Sequence, residues 1–400
     1  MSTQKTYIVI GTSAAGLAAV QKIRQLDPLC RILCFSDEPE LPYNKCFLAD
    51  FLSGRAEIAG VYTKPVSFFQ SLSVELYLGV RVLSIDRTNQ SITCSNGLTY
   101  DYTALLLAVG GVARKPSCRY QAGTYGLFSF HTLRDAQAVQ ASAMQKKSVS
   151  SVVLGAGLTG LEVADALRVQ GHAVTVIEQQ SRILMRHLDE EGAAFITRCL
   201  QKHSVTLLIG KAVEELISDD EGCIASVRLS NGTTILTKLV VAALGATARL
   251  ELPEAAGLTI EQGAVVTDDV MRTSDPAIFA AGDVALVKNV LTGEKMRTAL
   301  WPDAVSQGMH AAYAMVDQRR PYRGVVPVAT ATFFGTSFHS AGFLEASGDG
   351  WSERIERTPE GYSKVILDQQ GVVKGFVCMG DLVSKTLSYK RSMVTGVPLE

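Results

Sequence analysis

The sequence predicts an α/β protein: two βαβ units built to one pattern, followed by a small C-terminal α+β domain. Three observations predict it. Two distant segments share a β-branched run, a glycine turn, an alanine-rich stretch, a second β run and a closing acid. Apolar runs such as "ALLLAV" and "LVVAAL" have the length of buried strands. From about Pro327 onward the chain changes to short strand signals, "ATATFFG", "SFHSAGFLE", "YSKVILD" and "VVKGFVCMGD".

Length and charge narrow the class. A chain of 400 residues exceeds what one hydrophobic core serves, so two or three domains are expected. A net charge of -1 leaves no basic excess to neutralise phosphates, which argues against nucleic-acid binding. No apolar run approaches the length of a membrane span. The start "MSTQKTYIVIG" enters a strand directly, without room for a signal peptide, so a cytoplasmic location is expected. Eight cysteines (Cys30, Cys34, Cys46, Cys94, Cys118, Cys199, Cys223 and Cys378) are scattered along the chain. None forms a C-x-x-C pair, so neither a metal site nor a disulfide framework is indicated.

The first βαβ unit runs from Tyr7 to Glu38. In its turn "GTSAAG", Gly11 and Gly16 stand at the outer glycine positions, Ser13 replaces the middle one, and Ala14 and Ala15 keep the helix start small. Such a turn needs glycine for its conformation, and the helix N-terminus then presents free N–H groups and a positive dipole end to a pyrophosphate. Two acids follow the second strand, Asp37 and Glu38, and the spacing does not choose between them.

The second unit, Ser151 to Gln179, is the cleaner copy. Gly155, Gly157 and Gly160 satisfy G-x-G-x-x-G, with Leu158 and Thr159 opening the helix and Glu178 at the distance expected of a ribose-binding acid. A glutamate there repels a 2′-phosphate, so NADH is expected rather than NADPH; Arg182 is the nearby cation. Further on, "AIFAA" reads as a buried strand ending in Gly282-Asp283. The aspartate is read at a helix start, where it can accept from a polyhydroxyl chain, and the helix itself is read over Pro302–Met315.

Five motifs in this order, "GTSAAG", "LLLAVGG", "GAGLTGLE", "VVAALGA" and "IFAAGD", resemble the FAD-dependent pyridine nucleotide–disulfide oxidoreductase superfamily. The resemblance implies its Rossmann-like, glutathione-reductase-type architecture. An FAD domain would occupy 1–115 and 246–326, an NAD domain 116–245, and a C-terminal domain 327–400. Carried over residue by residue, Gly11, Ser13, Ala14, Ala15 and Gly16 cradle the FAD pyrophosphate, and Asp37 or Glu38 takes its ribose. Val82 meets the adenine, Gly282 and Asp283 serve the ribityl chain, and Trp301 lies at the flavin. Ala108, Val109, Gly110 and Gly245 close over the cofactors. Gly155, Gly157, Leu158, Thr159, Gly160 and Glu178 bind NADH, and Glu162 lies on the nicotinamide side.

The stretch "PYNKCFLADFLSG", Pro42 to Gly54, bears on the electron acceptor. Two-cysteine disulfide reductases resembling this chain need a second thiol five residues after the first, and that position is Phe51. They also need a late His-Glu pair, whereas His339, the one histidine of the C-terminal piece, is expected to pack or face solvent. Cys46 matches the position of the redox thiol in single-cysteine NADH oxidases, NADH peroxidases and coenzyme A-disulfide reductases, although Phe47 replaces their glycine. Pro42, Tyr43, Asn44, Lys45 and Leu48 resemble rubredoxin and ferredoxin reductases and the flavin domain of NADH-dependent nitrite reductases. Asp50 stands where the ferredoxin reductases carry a lysine. The expected function is therefore NADH-to-flavin hydride transfer followed by delivery to a small electron carrier, with Lys45 near the flavin N5. A Cys46-based oxidase, peroxidase or disulfide reductase is the alternative, and a non-catalytic NADH/FAD redox sensor a further one. A monomer or homodimer without a metal is expected.

Overall fold

The computed structural model describes residues 4–145 and 150–399. Its helices are α1 (Ala14–Leu26), α2 (Leu48–Ser53), α3 (Ile58–Val61), α4 (Val66–Ser71), α5 (Leu133–Gln145), α6 (Leu158–Val169), α7 (Glu190–Lys202), α8 (Glu251–Ala255), α9 (Trp301–Met315) and α10 (Thr386–Thr395). The chain divides into two compact units. One comprises Met1–Cys46, Ile58–Val112 and Thr247–Pro327, the other Phe47–Glu57, Ala113–Ala246 and Val328–Glu400.

In the first unit five strands form a parallel sheet in the order Ile278–Ala280, Ala104–Leu107, Thr6–Ile10, Arg31–Phe35, Val74–Tyr77. Apart from the edge strand Val74–Tyr77, the strands are buried on both faces over nearly their whole length, which is why their sequences read as apolar runs and not as alternation. A three-stranded antiparallel sheet (Val82–Asp86, Ser91–Cys94, Thr99–Asp101) is inserted before the strand Ala104–Leu107. Helix α1 crosses α9 closely: a side chain at Gly308 would strike the backbone of Ala15.

The second unit repeats this plan. Its parallel sheet has the order Thr206–Ile209, Ala173–Glu178, Ser150–Leu154, Leu239–Ala242, Leu127–Ser129. A three-stranded antiparallel sheet (Val213–Ser218, Ile224–Leu229, Thr234–Leu236) is again inserted, here before the strand Leu239–Ala242.

The C-terminal residues, grouped with this unit, form a five-stranded antiparallel sheet in the order Val328–Phe333, Thr336–Gly342, Val373–Gly380, Gly361–Leu367, Ser352–Thr358. The strand Gly361–Leu367 is buried throughout, whereas the edge strand Ser352–Thr358, "SERIERT", is exposed along almost its whole length. Buried Tyr362 donates to Asp189 at 2.6 Å, and Asp189 also caps the start of α7.

One sequence expectation is corrected. Asp283 does not begin a helix: the strands Ala285–Lys288 and Lys295–Arg297 intervene, and α9 starts only at Trp301. "ALVK" is β-branched and apolar enough to continue as a strand after the Gly282 turn.

Candidate functional site

In the first unit, the turn after Thr6–Ile10 is built by two glycines whose lack of a side chain is required. Gly11 has φ +120°, its N–H donates to the Phe35 carbonyl at 2.8 Å, and a Cβ there would strike the Ala108 carbonyl. A Cβ on Gly16 would strike the carbonyl of Gly11. Ser13 is the N-cap of α1 in ordinary extended backbone (φ -87°, ψ -162°), and its hydroxyl makes no capping bond. No acid stands in the first turn of α1 either. The helix therefore begins without side-chain partners for its first N–H groups. By contrast, α7 is capped by Asp189 and carries Glu190 and Glu191 in its first turn. A helix start with small buried Ala14, Ala15 and Gly16 and no competing carboxylate suits an anionic ligand.

Gly282 and Asp283 follow the strand Ile278–Ala280. The Gly282 N–H donates to Gln307 Oε1 at 2.8 Å, and Gln307, fully buried on α9, donates from Nε2 to Thr298 at 3.2 Å. Gln307 went unnoticed in the sequence, since a lone glutamine in a helix carries no signature. Asp283 is half-buried. Burial pushes its carboxyl above the usual range, against the opposing pull of Lys45 and Arg297. Lys45, in a short 3-10 turn Lys45–Phe47, thus belongs to the electrostatic surroundings of Asp283. Trp301 opens α9, with Pro302 in the first turn and no side-chain cap. Val82 is buried at the start of its strand. Ala108 donates to Ile10 at 2.8 Å, and past Val109, Gly110 takes φ +68° and accepts from the Arg249 N–H at 3.0 Å.

The two acids that follow the strand Arg31–Phe35 are both engaged. Asp37 pairs with Arg249 at 2.6 Å, and Glu38 accepts from the Tyr43 hydroxyl at 2.6 Å. Cys46 is exposed, its backbone N–H donating to Asn44 Oδ1 at 3.0 Å. None of the eight cysteines forms a disulfide.

In the second unit the turn repeats. Gly155 has φ +100°, and a Cβ on it would lie 2.7 Å from the Ala243 carbonyl; one on Gly160 would strike the Gly155 carbonyl. Gly157 differs. It is the N-cap of α6 with φ -80°, and a Cβ there would meet nothing within 4 Å. Neither backbone strain nor packing calls for glycine at Gly157, and the space beside it is open. Leu158 and Thr159 form the first turn of α6, which like α1 has no side-chain cap and no first-turn acid. Glu178 ends its strand with both carboxylate oxygens held: Oε2 accepts from Ala156 N–H and Oε1 from Gln180 N–H, each at 2.8 Å. Arg182 is turned away to the Leu188 carbonyl at 3.2 Å. Gly245 takes φ +81° and accepts from Arg114 N–H at 2.9 Å.

Glu162, half-buried on α6, has its carboxyl pushed up to about 7 by burial and by the charges of Asp50 and Asp165. Phe51, at the position of a second thiol, is buried on α2. His339 bonds to Thr386 at 2.9 Å, and burial lowers its pKa. Among the described residues, no helix is long and apolar enough to cross a membrane, and no cluster of histidine, cysteine or acidic groups could hold a metal ion.

Known proteins fit this geometry. The family model for pyridine nucleotide-disulphide oxidoreductases matches residues 5–308. A rubredoxin-NAD(+) reductase of Pseudomonas putida is 30% identical over 315 residues, covering 78% of this chain and 80% of its own. The ferredoxin reductase subunit of 5,5'-dehydrodivanillate O-demethylase from Sphingobium sp. is 30% identical over 385 residues, covering 96% of this chain and 90% of its own. Among solved structures, putidaredoxin reductase in covalent complex with putidaredoxin superposes with TM-score 0.89 at 23% identity, covering 98% of this chain and 93% of that one. The chain belongs to the pyridine nucleotide-disulphide oxidoreductase family. It is an FAD-dependent oxidoreductase that takes its electrons from NADH.

Proposed function

We propose that this enzyme carries electrons from NADH through FAD to a small electron-carrier protein of the rubredoxin, ferredoxin or nitrite reductase type. The observation that carries this reading is the likeness, over most of their length, to two reductases whose names specify rubredoxin and ferredoxin electron transfer. In this reading residues 1–115 and 246–326 hold FAD, residues 116–245 hold NADH, and 327–400 form the C-terminal domain. The bare starts of α1 and α6 receive the two pyrophosphates, and their N–H groups orient them. Glu178 holds the ribose diol of NADH, a role supported by the two backbone N–H groups that fix its carboxylate. Asp283, flanked electrostatically by Lys45 and Arg297, orients the ribityl chain, and Lys45 sets the charge near the flavin. The flavin supplies the conversion of a two-electron hydride into single electrons. A cytoplasmic setting belongs to this reading, supported by eight cysteines without a disulfide, as does a monomer or homodimer.

The exposed Cys46 supports a second reading, in which its thiol works beside the flavin in an oxidase, peroxidase or disulfide reductase. NADH consumption separates the two. With added rubredoxin or ferredoxin, turnover is expected to rise by at least an order of magnitude and to survive Cys46→Ser within about twofold. Loss of turnover in Cys46→Ser, together with loss of a thiolate–flavin charge-transfer band, would establish the thiol reading instead. Negligible turnover with every acceptor would leave a redox sensor.

A further inference from the structure

Helix α6 carries two carboxylates three residues apart, Glu162 and Asp165, which the helical repeat places on one face. Asp165 is 4% exposed, and its Oδ2 takes Arg55 Nη1 at 2.7 Å. Arg55 stands just beyond α2, the short helix packed against α6, and Asp50 of α2 adds a negative charge beside Glu162. Arg55 is thus engaged by Asp165, while the charges of Asp50 and Asp165 act on Glu162. The other elements packed on α6 add little charge. The strands Ser150–Leu154 and Val328–Phe333 carry no ionisable side chain, and Glu178 of Ala173–Glu178 is held by Ala156 and Gln180. In these surroundings the Glu162 carboxyl is held up to about 7, so near neutrality it takes up or loses a proton easily.

The nicotinamide ring is neutral in NADH and carries a positive charge in NAD+. A group of carboxylates stabilises the cation more than the neutral ring, and a cation in turn favours the ionised carboxylate. We propose that Asp50, Arg55 and Asp165 act as positioning residues that poise Glu162 to hold a proton beside NADH and to release it when NAD+ forms. The inference rests on the reading above, in which α6 binds the pyridine nucleotide, and on the family resemblance, which implies that Glu162 lies on the nicotinamide side. The balance is simple. A hydride, one proton with two electrons, leaves the nicotinamide for the flavin, and the Glu162 O–H breaks to give a carboxylate and a proton that passes to solvent. Glu162 neither donates to nor accepts from the nicotinamide; it answers the ring's change of charge.

The test is calorimetry on the oxidised holoenzyme. NAD+ and tetrahydro-NAD, whose neutral ring transfers no hydride, are each titrated in buffers of different ionisation enthalpy between about pH 6 and 8. NAD+ is expected to release a fraction of a proton and to bind roughly tenfold more tightly at the upper pH, about one unit of linkage. Tetrahydro-NAD is expected to change less than about twofold. Glu162→Gln should abolish the release, and Asp50→Asn should move its midpoint to lower pH. Equal proton release for both nucleotides, or release that survives Glu162→Gln, overturns the inference. Nucleotide binding and flavin reduction without wild-type proton release overturns it alone. Failure of NAD+ to bind and of NADH to reduce the flavin overturns the functional reading as well.

Discussion

The two βαβ units share one scaffold and differ in how their polar residues use it. In each, the first strand pairs in parallel register with the second, Ile10 with Phe35 and Leu154 with Ile177, and the turn glycine donates to the same carbonyl position. The next residue is Glu178 in the second unit and Ser36 in the first. Glu178 turns its carboxylate back into its own glycine turn, onto Ala156. The first unit has its acids one and two places later, engaged by Arg249 and Tyr43. At the middle turn position the residue differs while the geometry does not: Ser13 and Gly157 are both extended N-caps without a capping bond. Backbone geometry therefore demands the outer glycines of both turns. The middle residue and the acid are free to follow the ligand.

Substitutions can break this comparison, beginning with the scaffold. Gly16→Val should be the most damaging, because its side chain would strike the carbonyl of Gly11. A loss of about 4 kcal/mol or more, with FAD no longer retained after purification, is expected in a denaturation series. A folded, yellow variant would show that the turn can open. Next comes the acid. Glu178→Ala should narrow the NADH-over-NADPH preference by roughly tenfold or more, the worth of a charged hydrogen bond. An unchanged ratio of specificity constants would remove Glu178 from the ribose. The smallest effect on stability belongs to Gly157→Ala. With open space at its Cβ and ordinary backbone angles, Tm should move by no more than about 2 °C. The dissociation constant for NADH should nevertheless rise, by roughly tenfold, because the methyl group takes up room a phosphate would use. Unaltered affinity would mean the pyrophosphate does not pass this residue.

Much of the fold was legible because its requirements are local. Gly11, Gly16, Gly155 and Gly160 are needed by backbone contacts within their own turns and adjoining strand ends, so residue type and spacing reveal them. The buried parallel strands announce themselves as unbroken apolar runs. The site was less legible wherever partners lie far apart in the chain. Arg55 and Asp165, 110 residues apart, meet only because α2 packs on α6. Gln307 bonds to Gly282 across 25 residues. Spacing could not choose between Asp37 and Glu38, since neither occupies the register position that Glu178 fills. The strand pair after Gly282 was missed because its turn resembles a helix start until the pairing of Ala285–Lys288 with Lys295–Arg297 is known.

The edge strand Ser352–Thr358 has a consequence for how this protein behaves at high concentration. A fully exposed edge presents unpaired backbone groups to any passing strand, a route to aggregation. Here Glu353, Arg354, Glu356 and Arg357 stand on that edge, and several are tied down, Arg357 to Glu191 and Lys385 to Glu356. An incoming strand would have to break these pairs and strip water from the charges before its first ladder bond formed. The same residues that add little to the core thus keep the sheet from growing into its neighbours.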